Sequence, residues 1–268
     1  MIELHGEARP SVAALLEKDF AAFNLLARIL RSPLDTILTD DESFILTFSS
    51  PVYPVWVWTK DDLPDDTAEE IWNILKTRYP LTEGYHYNTK HSFASKLQKF
   101  GEREGIRIDS GFHLLAYECE NVVFPSFPIE GSFYRCTEGD IDLLADWFTD
   151  FHNELQMDIA SRDAYLAEIR ERIQNGAFFF WKVDGKPVSF CSYAVSEGFC
   201  SVSHVFTSKL HRRHHYAEIL VAKATEEILS KGYRALLYTD AGYPASNACY
   251  QKIGYQLKGS LVSVTLSE

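Results

Sequence analysis

The 268-residue chain has no apolar run near the ~18 to 20 residues that a membrane-spanning helix requires, and its opening, MIELHGEARPS, has no basic stretch followed by an apolar one. A soluble, cytoplasmic protein is expected. Cysteine is scarce and scattered: Cys119, Cys136, Cys191, Cys200 and Cys249 are odd in number and form no C-x-x-C pair to grip a metal or exchange thiols. Reduced thiols and no metal are the expectation. Basic side chains are also in deficit, 26 against 38 acidic, for a net charge of −12. Nucleic acid and anionic membranes attract proteins mainly by phosphate neutralisation, so neither is an expected partner. A small cationic substrate is compatible with such a surface.

Hydrophobic residues make up 46% of the chain and aromatics 14%, ample for a packed core. At about 150 residues per domain the length suggests two compact halves. Residues 11–31 carry Leu15, Leu16, Phe23, Leu26, Ile29 and Leu30 at helical spacing, with Pro33 closing the segment. Strand-like runs follow at Thr36 to Leu38, Phe44 to Phe48 and Val55 to Lys60, the first two joined at Asp40-Asp41. Pro64 opens a helix whose apolar face is Ile71, Ile74 and Leu75. A further helix over 91–103 precedes a long strand from Ile106 to Glu118. Pro125, Pro128 and Gly131 mark a linker, which divides the chain into halves 1–130 and 131–268.

The second half reads β, α, α, β, β, β, α, β, α, β. A short strand at Phe133 to Arg135 is followed by two helices, one stacking Leu144, Trp147, Phe148, Phe151 and Leu155, the other Tyr165, Leu166, Ile169 and Ile173. Asp184-Gly185 joins two strands in a tight hairpin, because both residues tolerate positive φ. A strand over 199–207, a helix over 212–231, the strand RALLYTD, the helix ASNACYQKIG and a final strand pair in YQLKGSLVSVTL complete the half. A helix start at 212–217 places Arg212, Arg213, His214 and His215 beside unpaired amides and the positive end of the helix dipole, a combination that suits a diphosphate.

The segments VFTSKLHRRHHYAEILV and LYTDAGYPASNACYQKIGY resemble, in wording and spacing, the GCN5-related N-acetyltransferases, over about residues 131–268. The resemblance implies an α/β fold with a mixed central sheet flanked by helices, and acetyl-CoA as co-substrate. It implies that Arg212, Arg213, His214, His215, Tyr216 and Ala217 bind the pyrophosphate and that Val205, Phe206 and Thr207 align the thioester. Asn247 would touch the pantetheine and Tyr250 would protonate the departing thiolate. His215 departs from the family pattern, which has glycine there; a Cβ and imidazole would push the pyrophosphate outward or force a different backbone angle. For the base that takes the amine's proton, His204, Glu197 and Asp240 are candidates. Which face His204 occupies is left open by strand alternation.

The first half repeats the layout. VWTKDDLPDDTAEEIWNIL parallels the first segment and SKLQKFG parallels ACYQKIG, so a tandem GNAT-like fold is expected. Where the second half has its basic cluster, the first has Asp61, Asp62, Asp65 and Asp66, which repel phosphate, and Leu97 stands at the place of Tyr250. Residues 1–130 are therefore expected to be a degenerate copy without a cofactor site, with Trp56, Trp58 and Trp72 in its core. The functional expectation is an N-acetyltransferase acting on a small-molecule amine or a protein amino group by direct attack, as a monomer or homodimer. The alternative is a non-catalytic acyl-CoA-binding or regulatory module.

Overall fold

The computed structural model describes residues 2–5, 10–31, 36–48, 53–78, 86–155 and 160–267. It divides into two compact units: Met1–Ala116 with Thr239–Tyr243 and Leu257–Glu268, and Tyr117–Tyr238 with Pro244–Gln256.

The first unit begins with β1 (Ile2–His5), α1 (Pro10–Ala14) and α2 (Asn24–Ile29). The single helix expected over 11–31 is therefore broken. A 3₁₀ turn at Glu17–Asp19 interrupts it, anchored by the Asp19 carboxylate, which accepts the Trp58 indole N–H at 2.8 Å and pairs with Lys90 at 2.6 Å. Pro33 lies outside the described residues. β2 (Thr36–Thr39) and β3 (Phe44–Phe48) form the expected hairpin, with Asp41 left-handed at φ 63° and Asp40 accepting the N–H groups of Glu42, Ser43 and Phe44.

β4 (Val55–Thr59) then leads through α3 (Asp65–Thr77) to β5 (His86–Thr89), which pairs parallel to β4. The sequence reading missed β5, whose four residues HYNT carry no apolar alternation. α4 (His91–Glu104) and β6 (Arg107–Cys119) follow. Trp56, Trp58 and Trp72 are all buried, and the indole of Trp72 donates to Glu104 at 2.8 Å.

In the second unit β7 (Ser132–Arg135), β8 (Phe178–Val183), β9 (Lys186–Ser196) and β10 (Phe199–Thr207) pair antiparallel in sequence, and β11 (Arg234–Asp240) joins β10 in parallel. The β8–β9 turn has Asp184 at φ 49° and Gly185 at 74°, as a tight hairpin demands. α5 (Ile141–Leu155) and α6 (Arg162–Gln174) lie against an aromatic core of Phe148, Phe178, Phe180, Phe190 and Phe206. α7 (Tyr216–Ser230) bridges β10 and β11, and α8 (Pro244–Ile253) follows β11. α7 starts four residues later than expected, because 208–215 form a loop with Arg213 and His215 both left-handed.

The expected final strand pair is one strand, β12 (Tyr255–Ser267), which pairs antiparallel to β5. Gly259 makes no turn; it permits close approach, since a Cβ there would stand 2.9 Å from that of Ala22. The order β2-β3-β4-α3-β5-α4-β6 repeats as β8-β9-β10-α7-β11-α8-β12.

The segment around Pro125 and Pro128, expected to be a linker, lies inside the second unit, and Gly131 at its end has φ 117°, where a Cβ would meet the Lys182 carbonyl oxygen at 2.6 Å and crowd the Trp181 indole. Gly131→Ala is expected to destabilise the second unit by about 1–3 kcal/mol, read as a lowered urea midpoint.

Candidate active site

Parallel pairing between β10 and β11 runs from Phe199–Arg234 to Val202–Leu237 and stops there. Beyond Val202 the two strands part, and the departure coincides with a bulge in the β9–β10 ladder between Ser203 and Phe206. One extra residue is inserted, and His204 sits in the bulge at φ 51°. The insertion breaks side-chain alternation. Ser203 lies on the same face as Ser192, their hydroxyls 3.3 Å apart, and the next residue, His204, also meets Ser192, Nδ1 to Oγ at 3.1 Å. Phe206 returns to that face against Trp147 and Phe151.

His204 therefore belongs to the α5–α6 side, its ring 4.7 Å from Phe148 and its Nε2 3.7 Å from Glu168. Burial, then the positive charges of Arg172 and His152, hold its pKa well below the ordinary value, so the ring is neutral at pH 7. The structure places the other candidate bases elsewhere. Glu197 is exposed in the β9–β10 turn, ~20 Å along the strand from Val205 at about 3.3 Å per residue. Asp240 shapes the turn after β11, accepting the Gly242 amide at 2.8 Å.

The loop from Ser208 to His215 leads from the bulge to α7. The first turn of this helix has no side-chain cap, and its backbone ladder begins with the Ile219 amide on the His215 carbonyl, so the amides ahead of it have no intrahelical acceptor. His215 is the N-cap residue at φ 61°, ψ 16°. It thus takes the left-handed conformation open to glycine, at a cost of about 1–2 kcal/mol. Its ring turns aside to Glu218, Nδ1 to Oε2 at 2.8 Å, and stands edge-on to Phe127 at 4.9 Å.

Arg212 is engaged as well: Nε donates to the Thr207 carbonyl at 3.0 Å and Nη2 to Glu154 at 2.6 Å. Arg213 is exposed and makes no ion pair among the described residues, and His214 stacks on Tyr216 at 5.4 Å. Ala217 lies in the first turn of the helix.

On α8, Asn247 and Tyr250 are one turn apart and both buried. The Tyr250 ring meets Tyr255 at 6.1 Å. Burial, with Cys249 and Cys191 nearby, pushes the Tyr250 phenol above its ordinary value, so it holds its proton until an anion stronger in base than water is close. A cleft of about 350 Å³ lies beside the end of β10, lined by Trp147, Asp150, Asn153, Glu154, Phe206, Ser208 and Lys209. The sequence reading singled out none of the α5 residues as site residues, although a carboxylate at Glu154 one turn beyond Asp150 is visible as an i, i+4 pattern. Among the described residues no group of three His, Cys, Asp or Glu side chains can hold a metal ion, and no helix is long and apolar enough to cross a membrane.

Three kinds of comparison bear on this geometry. Residues 141–255 match the Acetyltransferase (GNAT) family. No curated protein matches the chain in sequence. Solved structures share the fold over both units. An acetyltransferase of the GNAT family from Colwellia psychrerythraea matches with a TM-score of 0.61 at 9% identity over 100% of each chain. A GCN5-related N-acetyltransferase from Sphaerobacter thermophilus gives 0.65 at 10% identity, over 99% of this chain and 95% of its own. A third, from Kribbella flavida, gives 0.61 at 17% identity, over 92% and 94%.

His204 generates a pH prediction with a definite sign. It is neutral when folded and takes up a proton when unfolded, near pH 6.5, so stability is full above about 6.5 and falls as the pH drops below it. The groups facing it are Glu168, Arg172, His152 and Ser192. Between pH 6.5 and 5.5 the wild-type chain is expected to lose about 1 kcal/mol more than His204→Asn, as measured by urea unfolding of both proteins at each pH.

Proposed function

We propose, from the match of residues 141–255 to the Acetyltransferase (GNAT) family, that the chain is an acyltransferase that moves an acetyl group from acetyl-CoA to a primary amine by direct attack. The observation that carries this reading is the parting of β10 and β11 past Val202, next to the uncapped start of α7. A strand that loses its neighbour has main-chain groups free to pair with a thioester arm, and a helix start with free amides accepts the attached diphosphate.

In this reading acetyl-CoA is a substrate whose diphosphate lies on the first turn of α7, at Tyr216 and Ala217, with Arg213 and His214 beside it. Arg212 reaches it by exchanging Glu154 for phosphate. His215 already holds the left-handed backbone, so its Cβ does not change the path of the loop, and its ring points to Glu218. The main chain of Val205, Phe206 and Thr207 aligns the thioester. A fixed amide aimed at the developing oxyanion is worth ~2.7 to 4 kcal/mol.

The acceptor amine, neutral, attacks the thioester carbon and gives its surplus N–H proton to water in the open cleft; the tetrahedral intermediate collapses, the C–S bond breaks and the sulfur leaves as a thiolate. Tyr250 gives that thiolate its phenolic proton, with Asn247 holding the pantetheine one turn away. Burial makes the phenol a weaker acid, but the same dry surroundings raise the basicity of the thiolate, and transfer between two desolvated anionic sites depends on their difference. The 350 Å³ cleft beside Phe206 and Ser208 is where the amine, on a small molecule or a protein, would enter.

The engagement of Arg212 by Glu154 favours one other reading, a module that binds acyl-CoA without turning it over. Release of free CoA thiol over a panel of amines separates the two. Tyr250→Phe is expected to cut kcat tenfold or more while leaving the Kd for CoA within about twofold. Unchanged turnover would remove Tyr250 from the mechanism.

The first unit is, on the same reading, a copy without a carrier site. The turn and first residues of its α3 hold Asp61, Asp62, Asp65 and Asp66, of which Asp61 pairs with Lys90 and Asp65 with Lys96. Four carboxylates there repel a diphosphate, and Leu97 is fully buried and has no proton to give. Calorimetric titration is expected to find one CoA bound per chain; two equivalent sites would contradict this.

A further inference from the structure

β9 contributes two completely buried serines, Ser189 and Ser192, which flank the bulge in β10. Ser189 Oγ donates to the Phe206 carbonyl at 2.8 Å, satisfying an acceptor on the far side of the bulge. Ser192 Oγ lies 3.1 Å from His204 Nδ1 and 3.3 Å from Ser203 Oγ. The other ring nitrogen, Nε2, faces Glu168 Oε1 at 3.7 Å, beyond hydrogen-bond distance; with the hydrogen on Nε2, Nδ1 is the acceptor for the Ser192 hydroxyl. Glu168 is in turn clamped by Arg172, whose Nε and Nη2 donate to Oε1 at 3.1 and 2.8 Å, while its Nη1 donates to Ser203 Oγ at 3.3 Å.

The chain of contacts runs from α6 through Arg172, Glu168 and His204 to Ser192 on β9, and it closes on Ser203 at the start of the bulge. The order Ser–His–Glu is that of a hydrolytic triad. Ser192, however, is fully buried in the β9–β10 ladder, so it is no nucleophile. What the network does hold is a residue in an unfavourable backbone conformation. His204 is left-handed, at a cost of about 1–2 kcal/mol, and such strain persists only where the surroundings over-determine it. Its ring is held at Nδ1 by Ser192 and packed against Phe148, and the residue after it is Val205.

We propose that Ser192 and His204 are positioning residues for acyl transfer: their hydrogen bond fixes the pitch of the bulge and thereby aims the main chain of Val205 to Thr207 at the thioester carbonyl. The proposal rests on the acyl-transfer reading above. It differs from a general stabilising role in what it singles out. In that reading the diphosphate is held on α7 and α8 also meets the pantetheine, so the carbonyl is the part of the ligand that depends most on where the bulge aims Val205 to Thr207.

The test compares acetyl-CoA with S-ethyl-CoA, a thioether of similar shape that lacks the carbonyl. Calorimetry on the full chain is expected to show a preference for acetyl-CoA in the wild type. Ser192→Ala is expected to reduce that preference threefold or more, the range of one lost hydrogen bond, with the Kd for S-ethyl-CoA within twofold of wild type. His204→Gly, which keeps the left-handed backbone and removes the ring, is expected to do the same. In thiol release both variants should lose kcat/KM for acetyl-CoA by tenfold or more. Equal weakening of both ligands would mean general damage to the fold and overturns the proposal, as does an unchanged preference in both variants. If the wild type releases no thiol with any amine, acyl transfer itself fails, while the binding preference still decides whether the bulge reads the carbonyl.

Discussion

A strand that leaves its neighbour in mid-sheet strips one edge of hydrogen-bond partners, and buried backbone groups without partners cost about 1–3 kcal/mol each. β10 does this past Val202, and much of what surrounds it in the second unit answers that cost. The bulge inserts one residue, Ser189 and Ser192 supply hydroxyls to the altered ladder, and Arg212 Nε takes the Thr207 carbonyl at the strand's end. The aromatic layer of Phe148, Phe151, Phe190 and Phe206 packs the same stretch from the α5 side. On the proposed reading this parted pair of strands takes the thioester arm against main-chain groups, so the chemistry would depend on backbone position more than on side-chain identity.

Strain is concentrated along one path. His204, Arg213 and His215 are three left-handed non-glycine residues within twelve positions, and they bracket the segment that runs from the bulge to the start of α7. Two of the three are held by something other than their own preference: His204 by Ser192 and the aromatic layer, His215 by Glu218 and Phe127. Histidine at 215 shows how the loop keeps its path without glycine. The backbone is unchanged and the side chain is accommodated outside it.

Much of this was legible in the sequence where period and turn chemistry agree. The Asp184-Gly185 hairpin, the apolar faces of α3 and α5 and the alternation of strands and helices in the second half all follow from spacing. The misses have physical causes. β5 is four residues in which Tyr87, Asn88 and Thr89 are buried in succession, too short and too little alternating for a period to show. The helix expected over 11–31 is broken at Asp19 by partners 39 and more residues away, Trp58 and Lys90, which no local pattern reveals. The face of His204 was undecidable because the rule that decides it, alternation by two, is suspended at a bulge. Ser189 and Ser192 read as ordinary strand serines until the ladder shows what they compensate.

The basic loop reads, from sequence, as two arginines and two histidines set for an anion, yet two of the four already have carboxylate partners. Arg212 pairs with Glu154 and His215 with Glu218. Magnitudes decide what this means for a diphosphate. An exposed ion pair is worth about 0–1 kcal/mol, while a charge-assisted hydrogen bond to phosphate is worth about 1.5–3. Exchange of Glu154 for phosphate at Arg212 is therefore favourable, and the pair serves in the meantime to hold the guanidinium beside the slot. Arg213 and His214 need no such exchange. The carboxylates thus weaken anion binding modestly and reduce the ordering that binding requires, since Arg212 is already placed. On the proposed reading a charged loop whose side chains are already placed would bind a diphosphate with less entropy lost than a loose cluster of the same four residues.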